Sequence, residues 1–186
     1  WTGVEGAGMP RRSDGSYFLR SDVAVKIPVF SHGFFEVDID LGDSVLTVFT
    51  SYLSPPVFDG PEDMNGLRNA AELQTIAGLL RGRSEPFVLL ADLNNDPQKG
   101  EGHRAPLLEL LAQLGQPDDL IGLPTANWAS VADPMRVDYV LPSPSAKVVR
   151  AGVVSPDQSS KNYGLTEADI RLASDHWLVW ADIVPP

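Results

Sequence analysis

The stretch Pro86-Phe-Val-Leu-Leu-Ala-Asp-Leu-Asn-Asn-Asp-Pro97 restricts the fold more than any other part of the chain. Phe87 to Ala91 is a short, wholly apolar run entered through a proline, which predicts a strand buried on both faces. Asp92, Asn94, Asn95 and Asp96 follow it directly. Open α/β proteins place ligands at the carboxyl ends of such strands. Alternation along the strand puts Asp92 and Asn94 on one side and Leu93 on the other. The competing reading is a strand that simply ends in an Asn/Asp/Pro turn.

The flanking sequence predicts mixed α/β layers within one domain spanning residues 1–186. Residues 1–21 read as loop. Val23 to Val29 reads as a strand interrupted by Pro28, and Ser31-His32-Gly33 as a turn. Phe35, Val37, Ile39 and Leu41 alternate with acidic residues, so this strand is expected to have one buried and one wet face. Gly42-Asp43 turns it into Val45–Tyr52, a more central strand. A loop with three prolines covers Ser54 to Gly66, and loops of that length are often functional. Leu73, Ile76, Ala77 and Leu80 predict a helix over about Leu67–Arg81. Leu107 to Leu114, with Pro106 in the first turn and Gly115 beyond the end, predicts another. Gln116 to Asp133 reads mostly as loop. Strands are expected at Arg136–Leu141, Lys147–Val154 and Trp177–Ile183. Thr166 and Asp169 have capping-box spacing at the start of one helical turn.

Composition limits the partners. The net charge is −11 and Arg11-Arg12 is the only adjacent basic pair, which disfavours a sequence-indifferent nucleic-acid binder. A metal ion can bridge acidic groups to phosphate, so a phosphate-bearing substrate remains compatible with that charge. The absence of cysteine removes disulfides and thiolate metal sites. No apolar run is long enough to cross a bilayer. The chain begins at Trp1 with no signal-peptide pattern, and this start reads as a truncated or processed end.

Three further features sit at strand ends: Asp138 within an apolar strand, and Asp175 beside His176. A carboxylate inside an apolar strand needs a partner, because burying it unpaired is costly. His176 is the obvious candidate. A carboxylate bonded to one imidazole nitrogen fixes the tautomer and aims the other nitrogen at substrate. Taken singly, each residue also reads as a surface charge or a satisfied turn residue.

Ala91-Asp92-Leu93-Asn94, Val137-Asp138-Tyr139 and Ser174-Asp175-His176 occur in this order, and the set resembles the endonuclease/exonuclease/phosphatase superfamily with its deoxyribonuclease I-like fold. The resemblance runs from about Phe34 to Ile183. Pro55 to Asp63, Arg68-Asn69, Pro124 to Trp128 and Val140 to Ser143 resemble a bacterial subgroup more closely. The resemblance implies an α/β fold, the C-terminal part of a four-layer α/β sandwich. It also implies hydrolysis of a phosphoester with Mg²⁺ or Mn²⁺, and from the subgroup a secreted or periplasmic location. Residue by residue, Asp92 would orient or deprotonate water and Asn94 would donate to a phosphate oxygen. His176 would stabilise the phosphoryl group, Asp138 would orient His176, and Asp175 would help hold the metal or its water shell. Arg68 and Asn69 are the expected substrate contacts, with loop bracing the equal alternative for Arg68.

Two departures stand out. Tyr52 occupies a position where the subgroup usually has His, and a phenol there would offer a hydrogen bond to phosphate. The family's main metal-binding Glu belongs to an earlier half not found in this sequence. Glu5 follows no apolar strand and reads as a loop charge. His32 and His103 read as solvated turn residues, and Trp128 as a pocket wall or a core residue. The rival to the enzyme is a non-catalytic fragment or pseudoenzyme that binds phosphate compounds without cleaving them. A sheet edge or apolar face left uncovered by the missing strands would favour association.

Overall fold

The computed structural model describes residues 1–128, 133–157 and 164–184. Strands β1 (Phe34–Asp40), β2 (Val45–Tyr52), β3 (Phe87–Asp92) and β4 (Asp138–Pro142) form one sheet in that order. β2 and β3 are parallel, while β1–β2 and β3–β4 are antiparallel. Helix α1 is Ser21–Ala24, α2 is Met64–Leu80, α3 is Arg104–Gln113 and α4 is Glu167–Ala173. β5 (Val148–Val154) and β6 (Leu178–Ile183) make a second, antiparallel sheet.

The parallel β2–β3 pair requires a crossover, and α2 supplies it. Its buried stripe includes Leu73, Ile76, Ala77 and Leu80. These pack with Leu107, Leu110 and Leu111 of α3 onto Phe49, Phe87, Leu89, Ala91, Tyr139 and Leu141 of the sheet. Burying each large side chain contributes about 1.5–3 kcal/mol. The opposite face carries Val48, Val88 and Val140, covered by Val153, Ile170 and Trp177. β3 is therefore buried on the helix side through Phe87, Leu89 and Ala91, while on the other side Val88 is buried and Leu90 stays 38% exposed, so the expected double burial is incomplete. The capping box is present at α4, where Thr166 and Asp169 bond reciprocally.

Three further expectations are corrected. Val23–Val29 is not a strand: the single turn of α1 leads into an irregular approach to β1, since Pro28 lacks the donor a ladder requires. β4 begins at Asp138, not Arg136. β1 has no deeply buried face, because the two-stranded sheet does not extend over it: Phe35, Val37 and Ile39 stay 57%, 48% and 43% exposed.

Candidate active site

Register builds the first half of the site. Tyr52 pairs with Asp92 across β2–β3, and Asp92 pairs with Asp138 across β3–β4. Register partners point to the same face, so three polar side chains form a row at one end of the sheet. The row lies on the face that carries Val48, Val88 and Val140, where the second sheet packs.

A splint brings in the fourth residue. Thr125 Oγ1 accepts from the backbone N–H groups of Val137 and Asp138 at 3.0 and 2.9 Å. Trp177 N–H donates to the Thr125 carbonyl at 2.7 Å, and Asn127 N–H donates to the Asp175 carbonyl at 2.8 Å. The segment around Thr125 thus clamps the start of β4 to the chain entering β6. This puts His176 Nδ1 at 3.0 and 3.2 Å from the two carboxylate oxygens of Asp138. The Trp128 ring stands edge-on to the imidazole, centroids 5.2 Å apart, so it is a pocket wall.

After Asp92 the backbone turns sharply. Asn94 takes the left-handed conformation, φ 50°, which asparagine tolerates better than most residues. Its N–H donates to Asp92 Oδ1 at 2.9 Å. Its side-chain amide donates to the Leu53 carbonyl at 3.0 Å and to Asp92 Oδ2 at 3.2 Å. Asn94 therefore holds Asp92 in place while lining the same pocket. Asp96 ties down the next turn, accepting from the N–H groups of Gln98, Lys99 and Arg136.

The electrostatics follow from this crowding. Burial, then the Asp138 carboxylate beside it, pushes Asp92 up to about 7. The hydrogen bond to Asp138 raises His176 above the ordinary imidazole value, against the opposing effect of burial. Metal-free, Asp92 is thus poised to exchange a proton near neutrality, and the Asp138 carboxylate makes His176 hold its proton more tightly than a free imidazole.

Asp92, Asp138 and His176 each offer a ligand atom within 4.8 Å of the others. Two neighbouring carboxylates are the oxygen donors that Mg²⁺ or Mn²⁺ prefers. The repulsion that raises Asp92 is what a divalent cation would relieve, so the residues fit such an ion. His176 Nδ1 is committed to Asp138, which leaves the two carboxylates as the principal donors.

Other expected site residues lie elsewhere. Asp175 is exposed and lines a separate depression with Asn127, Arg171 and Ser174, outside the acidic cluster. Adjacent side chains on extended backbone diverge, so it cannot follow His176 inward. Arg68 donates from Nε to the Val29 carbonyl and from Nη2 to the Pro28 carbonyl, bracing the loop ahead of β1. Asn69 is fully buried, donating to the carbonyls of Ser54 and Leu93 and accepting from Asn95. Tyr52 lines the pocket, and its ring lies 4.3 Å from that of His32. His32 is exposed but belongs to the rim of the site. His103 is held by Asp63 at 2.6 Å. Glu5 sits exposed in the N-terminal turns, as a loop charge would.

Sequence reasoning passed over Glu72. It is fully buried and accepts from the Ser31 and Ser54 N–H groups at 2.7 Å each, joining two loops beside the site. Its signal was its position on the buried stripe of α2, one residue before Leu73.

A layered α/β domain with an acidic row and a carboxylate–imidazole pair at its sheet end defines the class. Residues 10–176 match the sequence profile described as the Endonuclease/Exonuclease/phosphatase family, so the chain belongs to that family. No curated protein matches the sequence. Among solved structures, it is similar to an endonuclease/exonuclease/phosphatase from Beutenbergia cavernae DSM 12333. That likeness has a TM-score of 0.59 and 22% identity, over 83% of this chain and 39% of the other. A functionally unknown conserved protein from Enterococcus faecalis V583 is similar with a TM-score of 0.51 and 14% identity, over 78% of this chain and 52% of the other. The chain thus spans about two fifths and about half of these two structures.

Proposed function

We propose that this chain carries the water-activating and phosphate-stabilising residues of a divalent-metal-dependent phosphoester hydrolase. The observation that carries the reading is the convergence of Asp92, Asp138 and His176 at one end of the sheet. Asp92 accepts a proton from the attacking water. His176, held through Nδ1 by Asp138, presents its other nitrogen to the phosphoryl oxygens as their charge grows. Tyr52 offers a further hydrogen bond from the adjacent strand. The carboxylates of Asp92 and Asp138 would hold the cation, which supplies positive charge to the phosphoryl group when bound.

A second reading, phosphate binding without turnover, is supported by the position of Asp175, which leaves the cluster with two carboxylates. One experiment separates them. The chain is assayed on p-nitrophenyl phosphate and bis-p-nitrophenyl phosphate with Mg²⁺ or Mn²⁺, with and without EDTA. Metal-dependent release of nitrophenol that His176→Ala abolishes supports the hydrolase. Saturable binding of phosphate with no turnover of either ester supports the binding reading.

A further inference from the structure

Beside the acidic cluster lies a cavity of about 510 Å³, reached by His176, Tyr52 and Asn94. Its remaining wall is largely apolar: Pro55, Pro56, Val57 and Phe58 on one segment, Trp128 and Met135 on others. Lys99 is the one lysine or arginine among the described lining residues, and its ammonium already donates to the Pro134 carbonyl at 2.8 Å. Glu101 adds negative charge to a chain already at −11. A second phosphate or a nucleic-acid backbone would find little compensation here.

Phe58 is the unusual member. It is 92% exposed and holds φ 65°, a left-handed conformation that is rare for an aromatic residue. The chain on both sides of it is pinned. Asn65 donates from its side chain to the Val57 carbonyl at 2.7 Å and from its backbone to Asp59 Oδ2 at 2.5 Å. An exposed aromatic on a braced, strained loop at a pocket is the pattern of a ligand contact, not of a mobile surface side chain.

We propose that this cavity receives the leaving group of the substrate, and that this group is an uncharged, planar apolar alcohol recognised by Phe58 and Trp128. The inference rests on the hydrolase reading of the adjoining site. In the reaction, water oxygen forms the new bond to phosphorus and the bond to the alcohol oxygen breaks. The proton lost by water goes to Asp92, and the alcohol leaves after gaining a proton from solvent or a neighbouring acid. Phe58 and Trp128 are specificity-determining contacts in this scheme, since they touch the departing group and not the phosphorus.

The test is binding by ligand-observed NMR in the presence of Mg²⁺, using methylphosphonate, phenylphosphonate, inorganic phosphate and pyrophosphate. Phenylphosphonate is expected to bind about tenfold or more tighter than methylphosphonate, from the buried ring area and aromatic contact. Phe58→Ser should collapse that ratio, and Phe58→Tyr should restore most of it. Phe58 is exposed, so neither substitution threatens the core. Equal binding of the two phosphonates, preference for pyrophosphate, or an unchanged ratio in Phe58→Ser overturns the inference and leaves the phosphate site standing. Binding of none of the four overturns the reading of the site itself.

Discussion

His176 Nδ1 lies 3.0 Å from one oxygen of Asp138 and 3.2 Å from the other. The imidazole is therefore held in one orientation by a carboxylate, and neither residue lies near the other in sequence. Asp138→Asn removes the charge and keeps the shape. We expect turnover to fall roughly 10- to 100-fold, the usual cost of releasing an oriented imidazole. The His176 titration midpoint in NMR should move down toward the ordinary imidazole value. A loss of activity with no change in that midpoint would assign Asp138 to a role other than orienting His176.

The same pair sets a pH dependence of stability. Because the folded state raises His176 above its unfolded value, the stabilisation is fully present below the unfolded value. It is lost as pH rises through the higher folded value. Thermal melts of the metal-free chain from pH 5 to 9 should show this loss, and His176→Gln should reduce it, leaving the part due to Asp92.

Asp92 adds to that loss, the reverse of the usual effect of a carboxylate. Its folded value, about 7, exceeds the unfolded value, so the folded state binds the proton more tightly and stability falls as pH rises from about 4 to 7. Asp92→Asn should stabilise the metal-free chain at pH 8 by on the order of 2–4 kcal/mol while removing activity. Chemical denaturation at pH 4.5 and pH 8 measures this, with little gain expected at the lower pH.

A divalent cation should relieve the same repulsion. Mg²⁺ or Mn²⁺ is expected to raise the melting temperature of the chain above pH 7, and EDTA to reverse it. The rise should shrink in Asp92→Asn and in Asp138→Asn. Asp175→Asn, whose side chain lies outside the cluster, should retain it.

Glu72 and Asn69 are expected to be structural. Glu72→Leu would leave the Ser31 and Ser54 N–H groups unpaired and cost about 3 kcal/mol or more. Asn69→Leu would strand the carbonyls of Ser54 and Leu93, again costing stability. Equilibrium unfolding should report both losses. Arg68→Ala, by contrast, should leave the affinity for phosphate unchanged, since its guanidinium faces the backbone before β1.

Local pattern determined most of the element types here, Val23–Val29 excepted. The apolar run at Phe87 made β3 a largely buried strand, helical spacing placed α2 and α3, and the order of the three short motifs pointed to the residues that gather at the sheet end. Asn69 and Glu72 were also legible in principle, since they share the helical stripe of Leu73, Ile76 and Ala77. Only tertiary structure decided the rest. Strand pairing put Tyr52, Asp92 and Asp138 in one row, and the Thr125 splint brought His176 to Asp138. The same pairing left β1 uncovered, turned Asp175 outward and spent Arg68 on a loop. Periodicity is a property of neighbouring residues, whereas register, burial and hydrogen-bond partners depend on which distant segments meet.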